Sequence, residues 1–168
     1  MNRITILGTG HATVTRCYNT CFALQTDTTT LLVDAGGGNG ILQRLEQAGI
    51  AIKDLHHMYV THAHTDHILG TIWVIRMVLS AAGYEGQFHV YSHAKVLRVI
   101  GMICGETLSA KHRRLMGERV VMHEVGDGTC FQAGDIGMQS FDIHSKKEPQ
   151  YGFRATLPGG AVVVCLGD

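Results

Sequence analysis

Between a β-rich run that ends at Thr61 and an apolar run that begins at Ile68 lies His62-Ala63-His64-Thr65-Asp66-His67. Even in a chain with 11 His among 168 residues, composition alone predicts far fewer than one such arrangement. His62 and His64 are two apart in extended backbone and can point the same way, whereas Asp66 and His67 follow the chain into a helix and face a neighbouring point. One short loop can thus serve two metal ions. Imidazole and carboxylate donors with no thiolate among them favour zinc, with manganese and iron as alternatives. The plainer alternative is a polar loop in which Asp66 caps the helix. The loop sits where a strand ends and a helix begins, which is where α/β folds place their sites.

The rest of the chain has to hold that loop. Short β-rich runs at Arg3–Leu7, Asn19–Gln25 and Thr30–Asp34, with a turn at Asp27-Thr28-Thr29, predict a three-stranded meander. Apolar residues at 41, 42, 45 and 48 have helical spacing, closed by Gly49 as a C-cap. A strand over His57–Thr61, a helix over Ile68–Ala82, a strand over Gln87–Tyr91 and a helix over 93–103 capped by Ser92 follow. The basic residues Lys111, His112, Arg113, Arg114 and Arg119 form a solvated helix face or, less simply, meet an anionic ligand. From Val120 onward the pattern is β again, with turns at Gly126-Asp127-Gly128 and Pro158-Gly159-Gly160. Strands, then βα units, then more strands predict an α/β sandwich of two sheets with helices packed outside them.

Length and composition bound what this fold can do. A chain of 168 residues, 45% hydrophobic and 17% charged, predicts one domain with a real core. Fourteen basic side chains balance fourteen acidic ones, so no net field draws in nucleic acid or an anionic membrane. The longest apolar stretch, Ile68 to Ala82, carries Arg76 and is shorter than the roughly 20 residues of a membrane span. Five Cys, an odd number, and a start at Met1-Asn2-Arg3 that runs straight into Ile4–Leu7 predict a reduced, cytoplasmic protein.

Two further donors stand at strand ends: His144 after Ile136–Ile143, and Asp168 after Ala161–Leu166. Together with Ile6-Leu7-Gly8-Thr9-Gly10, Leu32-Val33-Asp34-Ala35-Gly36, the 62–67 loop, Tyr151-Gly152-Phe153-Arg154 and Leu166-Gly167-Asp168, they make a pattern that runs from end to end. It resembles the metallo-β-lactamase superfamily of dinuclear metal hydrolases, and within it the ribonuclease Z-like and phosphodiesterase branch. The resemblance implies an αββα sandwich in which His62, His64 and His144 bind one metal, Asp66 and His67 bind a second, and Asp168 bridges both. Asp66 is also counted as catalytic, and Asp34 orients the loop from behind. Two divalent ions, zinc first, would then hold a bridging hydroxide that attacks the substrate. No Ser or Cys nucleophile is required, so Cys17, Cys21 and Cys165 are expected to be packing residues.

Members of that family continue past the bridging Asp for several more elements. Residues 1–168 are therefore expected to be one domain, the larger N-terminal part of the sandwich, associating with the missing C-terminal part or forming a homo-oligomer. Ribonuclease Z carries a long tRNA-gripping arm between the positions matching His144 and Asp168. Asp168 stands 24 positions after His144 here, which leaves room for one hairpin. With zero net charge, this argues against tRNA and predicts a small or cyclic phosphodiester, or an RNA-type bond, as the substrate. Two competing functions remain: hydrolysis of a lactone, lactam or thioester on the same fold, and a catalytically incompetent fragment that only binds a metal or ligand. His56, His57, His89, His93, His112 and His123 have no informative spacing and are expected to be ordinary surface or core groups.

Overall fold

The structure, a computed structural model, describes residues 1–167. Asp168, expected to bridge the two metals, lies outside the described residues.

The meander forms first: β1 (Arg3–Gly8), β2 (Cys21–Gln25) and β3 (Thr30–Val33) pair antiparallel in chain order. Three parallel strands then extend the same sheet: β4 (His57–Tyr59), β5 (Phe88–Ser92) and β6 (Val120–Glu124). Parallel pairing requires long crossovers, and these are α1 (Gly40–Gln47), α2 (Thr65–Ser80) and α3 (Ala94–Thr107), with a short α4 (Ala110–Arg114). The second sheet is antiparallel, β7 (Cys130–Ala133), β8 (Ile136–Asp142), β9 (Tyr151–Thr156) and β10 (Val162–Cys165), in the order β10-β9-β8-β7.

The period of two along each strand separates two cores. Leu32, Met58 and Val90 face the helices and join Ile68, Val74, Ile75 and Val78 of α2. Leu31, Val33, Tyr59 and Tyr91, one residue out of phase, face the second sheet and meet Ala133, Met138, Phe153 and Ala155. Helices, sheet and sheet are thus stacked in that order, an α/β sandwich of two sheets as expected, with helices packed on one of them. Among the described residues no helix covers the outer face of the second sheet, which shows Gln132, Gln139, Arg154 and the exposed Val162 and Val164.

Several local expectations need correction. The helix α2 begins at Thr65, not Ile68, so half of the donor loop is its first turn. Ser92 does not cap α3: it is the last residue of β5, and its hydroxyl donates to the Val60 carbonyl at 2.6 Å, leaving His93 in the capping position without a side-chain cap. Of the cysteines expected to be packing residues, Cys21 is buried and Cys165 packs against the inter-sheet core, but Cys17 is exposed. The basic cluster is a solvated face, with Lys111, Arg113 and Arg114 exposed around α4.

One glycine fixes how α2 meets the sheet. A Cβ on Gly70 would stand 1.8 Å from the Ala35 carbonyl oxygen, and the Gly70 amide donates to the Gly36 carbonyl at 2.8 Å. The first two turns of α2 therefore lie directly on the chain leaving β3, which brings Asp34 beside His67.

Candidate metal centre

Three consecutive strand ends supply the centre: Asp34 follows β3, Thr61 and His62 follow β4, and His93 follows β5. Asp34 is buried and holds a left-handed backbone, φ 54°. Among the described residues the other non-glycine with positive φ is His144, at 55°. Such conformations cost about 1–3 kcal/mol and persist where surrounding structure imposes them.

What imposes it at Asp34 is a set of hydrogen bonds. Its Oδ1 accepts from the Thr61 amide at 2.8 Å. Its Oδ2 accepts from the Thr61 hydroxyl at 2.8 Å and from His67 Nδ1 at 2.8 Å. Because the single hydroxyl proton of Thr61 is directed to Asp34, Thr61 Oγ1 is left to accept, and it accepts from His62 Nδ1 at 2.9 Å. Each imidazole is thereby oriented with Nδ1–H toward its oxygen partner, which makes Nε2 the nitrogen turned away from Asp34 and placed to ligate. That is the arrangement in which imidazole binds a metal, and a carboxylate behind the ring is the usual way of fixing it.

The two rings lie close together, with His62 and His67 centroids 4.1 Å apart. Beyond them, His64 Nδ1 is 2.9 Å from His62 Nε2, and Asp66 Oδ2 is 3.5 Å from His67 Nε2. Four of the six predicted ligands, His62, His64, Asp66 and His67, are thus gathered at one place. His144 is not turned inward: its imidazole is 84% exposed, and Nδ1 lies 3.6 Å from Asp142 Oδ2. Its amide donates to Asp142 Oδ1 at 2.7 Å, so Asp142 holds both ends of that residue.

Do these residues fit a divalent cation? Among the described residues no three His, Cys, Asp or Glu are already spaced about one point. The donor chemistry does fit: imidazole nitrogens with fixed orientation, a carboxylate, and a buried carboxylate behind them.

A latch that the sequence does not announce keeps the loop after β8 against the centre. Glu148 Oε1 accepts from the Ala63 amide, between His62 and His64, at 3.1 Å, and its Oε2 pairs with Lys95 Nζ at 2.8 Å. Burial raises the Glu148 pKa, but the bonds from Lys95 and Ala63 outweigh it and hold the carboxyl below its usual range. Beside it, the Tyr151 amide donates to the Thr61 carbonyl at 3.0 Å, and the buried His93 ring stacks on Tyr151 at 5.1 Å. On the other side, Asn19 Oδ1 accepts from the Gly37 amide at 3.1 Å, tying the segment after β1 to the chain beside Asp66.

Two sheets with helices on one of them, and an imidazole and carboxylate loop at the strand ends, define a metallo-β-lactamase fold. The structure matches the short form of human tRNase Z with a TM-score of 0.78 at 18% identity, over 100% of this chain and 69% of that one. Within the fold, the chain belongs to the family described as anti-Pycsar protein Apyc1, whose model matches residues 2–155. It is 30% identical over 128 residues to exodeoxyribonuclease YycJ of Bacillus anthracis, covering 75% of this chain and 42% of that protein. It is 28% identical over 155 residues to ribonuclease Z of Mycobacterium marinum, covering 82% and 55%. The chain therefore spans about half the length of these curated relatives. No helix among the described residues is long and apolar enough to cross a membrane.

Proposed function

We propose that this chain carries the metal-binding half-site of a hydrolase, and that the substrate is a small or cyclic phosphodiester. The reading rests on one observation above all: Asp34, directly and through Thr61, orients His67 and His62 with Nε2 placed to ligate. Two divalent ions, zinc by the donor set, would supply Lewis acidity and an activated water there. His62, His64 and His144 would hold one and Asp66 and His67 the other, with Asp168 between them. The chain's own work is to set these donors and to keep competing charge away. Lys95 is taken up by Glu148, whose other oxygen holds the Ala63 amide, and so is not the group that grips substrate.

A small substrate follows from what lies between His144 and the end of the described chain. Residues 145–167 form a short loop and the β9–β10 hairpin, with 5 residues between the strands. Nothing there projects as an arm long enough to hold a folded RNA, and the chain has no net charge to attract one. We therefore favour a small phosphodiester over tRNA.

The test is hydrolysis of bis(p-nitrophenyl) phosphate and of cyclic nucleotides by the full-length protein loaded with zinc or manganese. Turnover that EDTA abolishes and His64→Ala lowers at least about 100-fold is expected. Hydrolysis of lactones, lactams or thioesters alone would keep the fold's chemistry and overturn the substrate. Two bound metals with no turnover on any of these would overturn the enzymatic reading.

A further inference from the structure

A second group of imidazoles occupies the other end of the parallel strands. His57, His89 and His123 each stand two residues before a residue of the inter-sheet core, Tyr59, Tyr91 and Val125. They therefore point to the same face as that core, at its margin, and are half-buried. His57 lies about 13 Å along β4 from Thr61, at about 3.3 Å per residue, so this group is well separated from the centre described above.

We propose that His89 and His123 form a second metal site, a two-imidazole seat for a divalent ion that prefers square-planar or tetragonal coordination, copper(II) or nickel(II). The geometry carries it. His89 Nδ1 and His123 Nε2 face each other at 2.9 Å. Two nitrogens at about 2.0–2.1 Å from one ion and at right angles to each other are separated by √2 times that distance, about 2.9 Å. The nitrogens already stand at that separation, and each ring has only to turn so that its lone pair, now along the line of the hydrogen bond, meets the other at the ion.

The donors are also held. His57 is the register partner of His89 and stacks on it at 5.4 Å and 16°. Tyr91 is the register partner of His123 and stacks on it at 4.8 Å and 19°. Each donor ring is thus backed by a second ring, and Tyr91 is anchored by its hydroxyl, which donates to the Gln132 carbonyl at 3.2 Å. Burial, followed by the neighbouring imidazoles, lowers the pKa of His57 to about 4 and also lowers that of His89; burial lowers that of His123. All three are therefore neutral near pH 7, the form that binds a cation. Without an ion, one ring N–H donates to the other ring. With it, that proton moves to the outer nitrogen of its own ring and none is released. No third His, Cys, Asp or Glu among the described residues completes the set, so water fills the remaining positions. Two neutral nitrogens place copper(II) highest in affinity.

The site is tested on the full-length protein with the His62–His67 loop first saturated with zinc. Copper(II) titration followed by electron paramagnetic resonance is expected to show one additional ion per chain with two nitrogen donors. His89→Gln and His123→Gln should each weaken that ion's binding more than about tenfold, the loss expected of an outer contact alone, with bound zinc unchanged. Unchanged copper affinity in both variants would overturn the site. Should a variant fail to fold, the wild-type protein still decides: copper(II) must broaden the ring-nitrogen resonances of His89 and His123, and sharp signals there would refute the assignment.

Discussion

Thr61 has one hydroxyl proton, and where it points decides that His62 carries a proton on Nδ1. Directed at Asp34, it leaves the oxygen to accept from His62 Nδ1. Valine at this position would preserve shape and lose the hydroxyl. We expect Thr61→Val to lower metal affinity by about 10–100-fold, while Thr61→Ser stays near wild type. Competition with a chromophoric chelator measures it, and equal affinity in Thr61→Val would contradict the tautomer argument. The loop itself was legible in the sequence because its donors are contiguous and their spacing is improbable by composition. Thr61, Glu148 and Lys95 were not: Glu148 reaches the Ala63 amide across 85 positions and Lys95 across 53, and no local pattern encodes such a meeting. The His89–His123 pair left only a partial trace: each stands two before a core aromatic or valine, which gives the face, while the meeting of the two rings depends on register. The outward turn of His144 left none, because it depends on Asp142 and on a left-handed backbone at a non-glycine residue.

At the level of elements, α2 positions the centre through its close approach to Ala35. Exchange of Gly70 for alanine gains about 1 kcal/mol of helix propensity. The added methyl, however, would meet the Ala35 carbonyl oxygen and carbon at 1.8 and 2.6 Å, and both are backbone atoms that cannot turn aside. Overpacking of this kind costs about 1–3 kcal/mol or more, so Gly70→Ala should be destabilised in urea titration despite its better propensity. A variant as stable as wild type would show that α2 can slide on the sheet. The same element shows why boundaries are hard to place from sequence. Apolar periodicity starts at Ile68, but the helix starts at Thr65 because His64 is extended, φ −66° and ψ 147°, and Asp66 adds negative charge to the first turn. Ser92 has the right chemistry for a cap and was lost to a competitor, the Val60 carbonyl, which only the tertiary structure supplies.

Across the whole molecule, three half-buried imidazoles at one end of the sheet set a dependence on acidity. His57, His89 and His123 are held below the ordinary imidazole range, chiefly by burial, and Asp135 opposes this only at His57. The unfolded chain therefore binds protons at these positions before the folded one does. Their contribution to stability is present above about pH 6.5 and is lost as the pH falls toward 4. The midpoint of thermal unfolding should fall across that window, and His57→Gln should flatten the fall. A midpoint unchanged between pH 7 and 4.5 would show that these rings stay hydrated. The stacking order of helices, sheet and sheet was legible because the two periodicities separate cleanly along the chain. The pairing of three strands into one cluster of rings was not, because it depends on register across crossovers of some 30 residues.

One carboxylate oxygen of Asp34 receives both the Thr61 hydroxyl and His67 Nδ1. Any change in the charge or reach of that oxygen is therefore felt by His62, through Thr61, and by His67 together, and the two rings cannot be retuned separately from behind. An engineer wishing to alter metal preference on one side alone would have to work from the front, at His64 or Asp66, whose recorded bonds do not pass through Asp34.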